Sequence, residues 1–193
     1  MLLTAEAVFA EFGFGAATLE EVARRLEMRR ASLGYYFDDK EALFDAVFRE
    51  ILADLHERLR PALEHDDPIE GMESLASLWV DFLQARPHAG RVLLRQLVDG
   101  LPPRRPATRR RFADFVGDLS GLIERGAQSH AFKRIDPGEY GAILAGTSLL
   151  WVSARETLQR AYGFDSMAPE RIEGLRHRLV QLTRQLIEAP QER

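Results

Sequence analysis

The chain has 193 residues, 46% of them apolar and 29% charged, which is the mixture of a folded globular protein and not of a disordered one. Cysteine is absent, which excludes a disulfide framework, thiolate metal sites and a cysteine nucleophile, and agrees with a cytoplasmic setting. Basic residues number 26 against 30 acidic, a net charge of −4, so bulk charge does not point to nucleic acid. No apolar run reaches the length of a membrane helix, and no basic n-region of a signal peptide is expected at the N-terminus.

In chain order, Met1 to Phe12 places Leu2, Ala5, Val8, Phe9 and Phe12 on one helical face, and Gly13 with Gly15 ends that helix. Thr18 with Glu21 reads as a capping box, in which the hydroxyl takes an orphan N–H and the carboxylate reaches back. The helix it opens faces a core through Leu19, Val22, Ala23 and Leu26. A turn at Glu27–Met28 then leads into a second short helix, Arg29 to Phe37, with Leu33 and Phe37 as core residues. Asp38 with Glu41 reads as another capping box, opening a long helix over 38–60 through Leu43, Val47, Ile51 and Leu55. Two short helices joined by a tight turn and braced by longer ones outline a helix-turn-helix unit.

No proline precedes Pro61, and the intervals between later prolines read as helices. Apolar residues recur at helical spacing in Leu75–Leu83, Phe112–Ile123, Ile143–Val152 and Leu175–Leu186. No convincing period-two segment occurs, so the fold class is all-α, with about nine helices. Leu101 to Arg111, with three prolines and five arginines, reads as a loop. Its Arg104, Arg105, Arg109, Arg110 and Arg111 form a basic patch, taken as solvated in preference to nucleic-acid binding. Enzyme signatures are missing: no histidine follows a glutamate by three residues, and neither His-Glu-x-x-His nor Gly-x-Ser-x-Gly occurs. No catalytic residue, metal site or cofactor is assigned.

The stretch Val8 to Leu43 resembles the DNA-binding domain of TetR-type transcriptional regulators. The resemblance is carried by Phe9, Gly13–Phe14, Thr18, Val22–Ala23, Leu33, Tyr36–Phe37, Lys40–Glu41 and Leu43, in order and without insertion. It implies a helix-turn-helix DNA-binding domain over residues 1–45 and a ligand-binding and dimerisation domain over 46–193, joined by the helix at 38–60. It also implies a homodimer acting as a repressor on a palindromic operator of double-stranded DNA, released by a small-molecule effector. Half-sites are expected about 34–36 Å apart, or a multiple of this.

Carried over by position, the resemblance gives DNA contact to Thr18, Arg29, Arg30, Ser32, Tyr35, Tyr36 and Lys40. Arginine suits guanine or phosphate, serine a phosphate or base edge, and tyrosine a phosphate or thymine methyl. Adjacent helical positions diverge by about 100°, so Tyr35 is given the groove and Tyr36 the edge between core and backbone. Glu27 stands where the family usually has a turn glycine, and Gly34 where it usually has a phosphate-contacting tyrosine. Arg29 replaces a small hydroxyl residue, and a basic arm ahead of helix 1 is lacking. These departures keep a second reading open: a helical dimer that binds a ligand or protein partner with impaired specific DNA binding.

Effector contacts are sought on the helices that would enclose a regulatory core, at Trp79, Phe82, Phe115, Leu119, Trp151 and Arg155. Arg155 suits an acidic ligand, but a surface position or a salt bridge with a nearby acid is the favoured reading. Pro137 to Tyr162 and Pro169 to Glu188 are the expected dimer interface, with Gly141, Ala145 and Gly146 permitting close approach. Charge is distributed in a way that admits DNA. Residues 24–40 carry five basic against three acidic side chains, while the acidic excess lies on the flanking helices.

Overall fold

The computed structural model describes residues 1–99 and 106–188; Arg104 and Arg105 of the arginine patch lie outside the described residues. Among the described residues the chain is helical, with no strand. A head is formed by α1 (Leu2–Ala16), α2 (Leu19–Arg25) and α3 (Arg30–Gly34), from which α4 (Lys40–Leu63) runs into the body. The body continues with α5 (Pro68–Ala85), α6 (Pro87–Asp99), α7 (Pro106–Gln128), α8 (Pro137–Ser153), α9 (Arg155–Tyr162) and α10 (Pro169–Ile187). Among the described residues no helix is long and apolar enough to cross a membrane.

Among the described residues ten helices stand against the expected nine, because Pro137–Tyr162 is broken at Ala154 (φ −89°, ψ 14°). α8 buries Tyr140, Leu144, Leu149 and Val152, whereas α9 buries nothing. A polar helix gains no burial by prolonging an apolar one into the core. Arg155 instead pairs with Asp165, beyond the left-handed Gly163, and folds α9 back on the chain that follows it. Pro68, Pro87, Pro106, Pro137 and Pro169 each open a helix. Pro61 does not: it sits in the last turn of α4, where burial of Leu59, Ala62 and Leu63 outweighs one lost hydrogen bond.

Other boundaries also move. The long helix begins at Lys40 and not at residue 38, because Asp39 is extended (φ −149°, ψ 175°) and its side chain accepts from Ala42 N–H at 2.6 Å. Asp38 is therefore not the cap. α1 continues past Gly13 to Ala16 with a kink at that glycine (φ 73°, ψ 169°). The Arg95 guanidinium lies where a Cβ on Gly13 would be, 2.7 Å from Nη1, so both backbone and space require glycine there. Residues 106–111, expected in a loop, form the first turns of α7.

One continuous core joins head and body, from Phe9 and Leu33 to Phe82, Leu149 and Leu179. α4 makes this possible. Its Leu43, Val47, Ile51, Leu55, Leu59 and Leu63 are all buried and recur every four residues. With 3.6 residues per turn, each step rotates the stripe by about 40°, so it winds about half-way round the helix. The winding stripe lets α4 pack against α1, α5 and α7.

A charged node also ties the two parts together. Arg86, between α5 and α6, donates to Asp54 of α4 at 2.8 Å and to Glu6 of α1, a carboxylate only 4% exposed. Burial opposes the charge of Arg86, but bonds to Asp54 and Glu6 outweigh it and raise its pKa. Burial likewise pulls the Asp54 carboxyl up, yet hydrogen bonds from Arg86 and Arg58 leave it below the usual range.

Candidate nucleic-acid interface

α2 and α3 meet through a turn whose hydrogen bonds explain its shape. Glu27 N–H donates to Arg24 O at 3.1 Å, and Met28 N–H to Ala23 O at 3.0 Å, which is the Schellman pattern closing a helix C-terminus. That pattern needs a left-handed residue, and Glu27 supplies it with φ 54°. A non-glycine residue there costs about 1 kcal/mol or more. Glu27→Gly is therefore expected to raise the unfolding free energy by about 1 kcal/mol. Urea titration monitored by circular dichroism measures this, and an unchanged midpoint would show that the turn carries no strain.

Thr18 caps α2 as expected, accepting Glu21 N–H at 3.1 Å. The other half of the box is replaced. Glu21 accepts from Arg24 (2.8 and 2.7 Å) and Arg25 (2.7 Å), because charge-assisted bonds are stronger than one to a backbone N–H. The bond from Arg24, then that from Arg25, lowers the Glu21 pKa to about 2. A depressed carboxyl stabilises fully above its ordinary value of 4.5 and loses that contribution as pH falls toward about 2. Thermal unfolding followed between those pH values is expected to show less acid sensitivity in Glu21→Gln than in the wild type.

With Arg24 held by Glu21, and Arg25 by Glu21 and Glu11, neither is a free cation. Arg30 is exposed and pairs with Glu20 at 3.1 Å. Arg29 precedes α3 without a side-chain cap; its side chain is exposed and makes no hydrogen bond or ion pair among the described residues. Ser32 is exposed on α3, and Tyr35 and Tyr36 follow it with 87% and 61% of their surface open. Their rings meet edge-on at 5.5 Å. Tyr36 stands further out than the edge position expected for it, because Leu33 and Phe37 already fill the core side of α3.

Lys40 opens α4. Its Nζ donates to Gly15 O at 3.0 Å and lies 4.7 Å above the Phe14 ring, fastening α4 to the end of α1. An ammonium has three donors, so two remain for an anion beside the α4 N-terminus. The structure thus brings Thr18, Arg29, Arg30, Ser32, Tyr35, Tyr36 and Lys40 onto the helix-turn-helix and its two flanking caps. Among the described residues no cluster of acids and histidines could hold a metal.

The effector candidates are spread over the body. Trp79 and Phe82 stack at 5.9 Å inside the core, and Trp79 Nε1 donates to Ser148 Oγ of α8 at 2.7 Å. Leu119 is buried on α7, with half-buried Phe115 against His56 at 5.8 Å. Trp151 donates to Ser166 O at 2.9 Å, and Arg155 grips Asp165 through two bonds of 2.7 and 2.5 Å. None of the six lines the cleft of about 570 Å³ bounded by Glu11, Arg91, Leu94, Arg95, Ser153 and Glu156. Sequence reasoning missed that cleft, since its walls come from α1, α6 and the α8–α9 junction and share no local pattern.

Comparison with known proteins agrees with this geometry. Residues 2–47 match the family described as bacterial regulatory proteins, tetR family, and residues 68–182 match the tetracyclin repressor-like C-terminal domain. The HTH-type transcriptional regulator RutR of Escherichia coli O157:H7 is 28% identical over 129 residues, covering 67% of this chain and 61% of that protein. RutR of strain K12 is 29% identical over 116 residues, covering 60% and 51%. The match therefore spans between half and two thirds of these relatives. In fold, the chain is similar to the TetR family regulator PfmR from Thermus thermophilus, with a TM-score of 0.73, 20% identity and coverage of 99% and 96%. It is also similar to FadR from Bacillus subtilis in complex with stearoyl-CoA, with a TM-score of 0.71, 18% identity and coverage of 94% and 95%.

Proposed function

Because the chain belongs to the tetR family of bacterial regulatory proteins, we propose that it is a homodimeric, cytoplasmic repressor reading a palindromic operator through α3. The observation that carries this is the face of the helix-turn-helix: Arg29, unpaired among the described residues, exposed Ser32, and two tyrosines standing free, framed by Thr18 and Lys40. Arg29, Arg30 and Lys40 supply charge to phosphate or guanine, while Ser32, Tyr35 and Tyr36 meet base edges or backbone. Thr18 adds its hydroxyl to a phosphate while capping α2. The regulator needs no catalytic residue and no cofactor of its own.

The partner is a second copy, docked on α8. That helix is apolar around its circumference, yet Ala142, Gly146 and Leu150 are exposed and nothing lies within 4 Å of a Cβ built on Gly141 or Gly146. An all-round apolar helix belongs inside a core or an interface. Release comes from a small-molecule effector bound in the body among Trp79, Phe82, Phe115 and Leu119, with Trp151 and Arg155 at the α8–α9 junction. Its binding is expected to quench the fluorescence of Trp79.

Fluorescence anisotropy on DNA flanking the gene, and on duplexes selected from a random pool, tests the proposal. Arg29→Ala and Lys40→Ala are each expected to reduce the salt dependence of binding by a slope of about 0.9. Tyr35→Ala is expected to narrow the gap between operator and random DNA. Equal losses on both would remove Tyr35 from base reading. The second reading, a ligand- or protein-binding dimer with impaired operator recognition, is favoured by the left-handed Glu27 and by Gly34 within α3. Tight dimerisation with no preference among selected duplexes would support it.

A further inference from the structure

We propose that Arg109, Arg110 and Arg111, on the first turns of α7, form a second contact to the DNA backbone, supplied by the body and not by the helix-turn-helix. The inference rests on the DNA-binding reading above. Its starting point is how the arginines are paired. Most exposed arginines of the described chain are held in ion pairs, as in Arg24–Glu21, Arg58–Asp54, Arg155–Asp165 and Arg184–Glu73. The side chains of Arg109, Arg110 and Arg111 are all exposed and make no ion pair or hydrogen bond among the described residues. In this they match Arg29 on the reading head.

Their position follows from how α7 lies on α4. Thr108 Oγ1 donates to Asp45 at 2.8 Å, His56 meets Asp118 at 2.7 Å, and Arg125 donates to Leu63 O at 2.7 Å. The two helices therefore run side by side in the same direction, with the start of α7 level with the second turn of α4. Lys40 precedes Asp45 by five residues, about 7.5 Å along the axis. Side chains on a helix lean toward its N-terminus, so the three guanidiniums extend back toward the level of Lys40. The patch therefore lies on the side of the body nearest the level at which Lys40 opens α4, and its three side chains fan round α7 about 100° apart.

The location also gains nothing from the dipole of α7. The first turn of α7 has no acidic residue, and cations beside a helix N-terminus oppose its dipole. A phosphate backbone is the partner of matching chemistry: it relieves that repulsion, is recognised without sequence preference, and favours arginine through bidentate bonds.

The test uses the full chain and a duplex selected from a random pool with the wild type, titrated between 50 and 200 mM KCl. The variant R109A/R110A/R111A is expected to bind about tenfold or more weakly at the upper salt, on selected and random duplexes alike. Its salt slope is expected to fall by about 0.9 for each phosphate that is no longer neutralised. R109K/R110K/R111K is expected to keep most of the affinity. Thermal unfolding of the alanine variant is expected at or above the wild-type midpoint, which separates weakened DNA binding from a damaged fold. Unchanged affinity and slope in the alanine variant, with binding still weakened by Arg29→Ala, would reduce the patch to a solvated face and leave the main reading intact. A wild type that binds no duplex would overturn both.

Discussion

Arg86→Ala is expected to cost about 3–5 kcal/mol of folding stability, the range for removing one partner of a buried ion pair. Arg86 has only 12% of its side chain exposed, and its two carboxylate partners have 5% and 24%. Truncation leaves Glu6 enclosed without its partner, with Asp54 retaining only Arg58. The consequence depends on pH with a definite sign. In the wild type the lowered Asp54 pKa gives stability above the ordinary value of 3.8 that is lost as pH falls through its folded value. The variant lacks the part of that stabilisation that Arg86 supplies, so its deficit relative to the wild type shrinks in acid. Urea unfolding at neutral pH and in acid measures both. A loss below about 1 kcal/mol would mean that Glu6 and Asp54 are hydrated without their partner. Replacing all three by apolar residues of similar size is expected to recover much of the stability, because a buried triad is costly to desolvate.

Gly126→Ala is expected to destabilise by about 3 kcal/mol, at the upper end of ordinary overpacking. Gly126 lies in the last turn of α7, where Ala131 N–H returns to Gly126 O at 3.0 Å around the left-handed His130 (φ 55°). This reversal lays the ring of Phe132, 5% exposed, over the glycine. A Cβ there would stand 1.9 Å from Cζ and 2.1 Å from Cε1 of that ring, a clash relieved only by moving a buried aromatic. The double variant Gly126→Ala/Phe132→Leu is expected to lose less than the sum of the single changes. Strict additivity in a denaturant series would show that the ring does not meet the new methyl.

The helix-turn-helix was legible residue by residue because its signals are local. Thr18 as a cap, the Glu27–Met28 turn and the buried face of Leu19, Val22 and Leu33 all depend on neighbours within a few positions. The resemblance marked Glu27 as standing where a turn glycine is usual, and its left-handed backbone (φ 54°) gives that departure its cost. Competition among local signals was not readable. Glu21 had two ways to be satisfied, and two arginines one turn further along α2 displaced a backbone N–H. The capping box read at Asp38 was displaced by one residue, because Asp39 has the extended backbone and its side chain takes the Ala42 N–H.

The arginines show where local reading stops. Hydrophobic periodicity repeats every 3.6 residues, so fold class and most of the helices follow from the order of residues alone, while helix ends and some faces do not: Phe12 and Phe112 are exposed. Ion pairing does not repeat. Arg86 finds Glu6 across 80 positions, and Thr108 finds Asp45 across 63. The same composition of arginine thus divides into a buried clasp at Arg86, saturated surface pairs at Arg24 and Arg155, and, among the described residues, open cations at Arg29 and Arg109–Arg111. Which arginine plays which part depends on distances of a few ångströms between helices remote in sequence. A Coulomb interaction and a hydrogen bond respond to that spatial distance and not to chain separation.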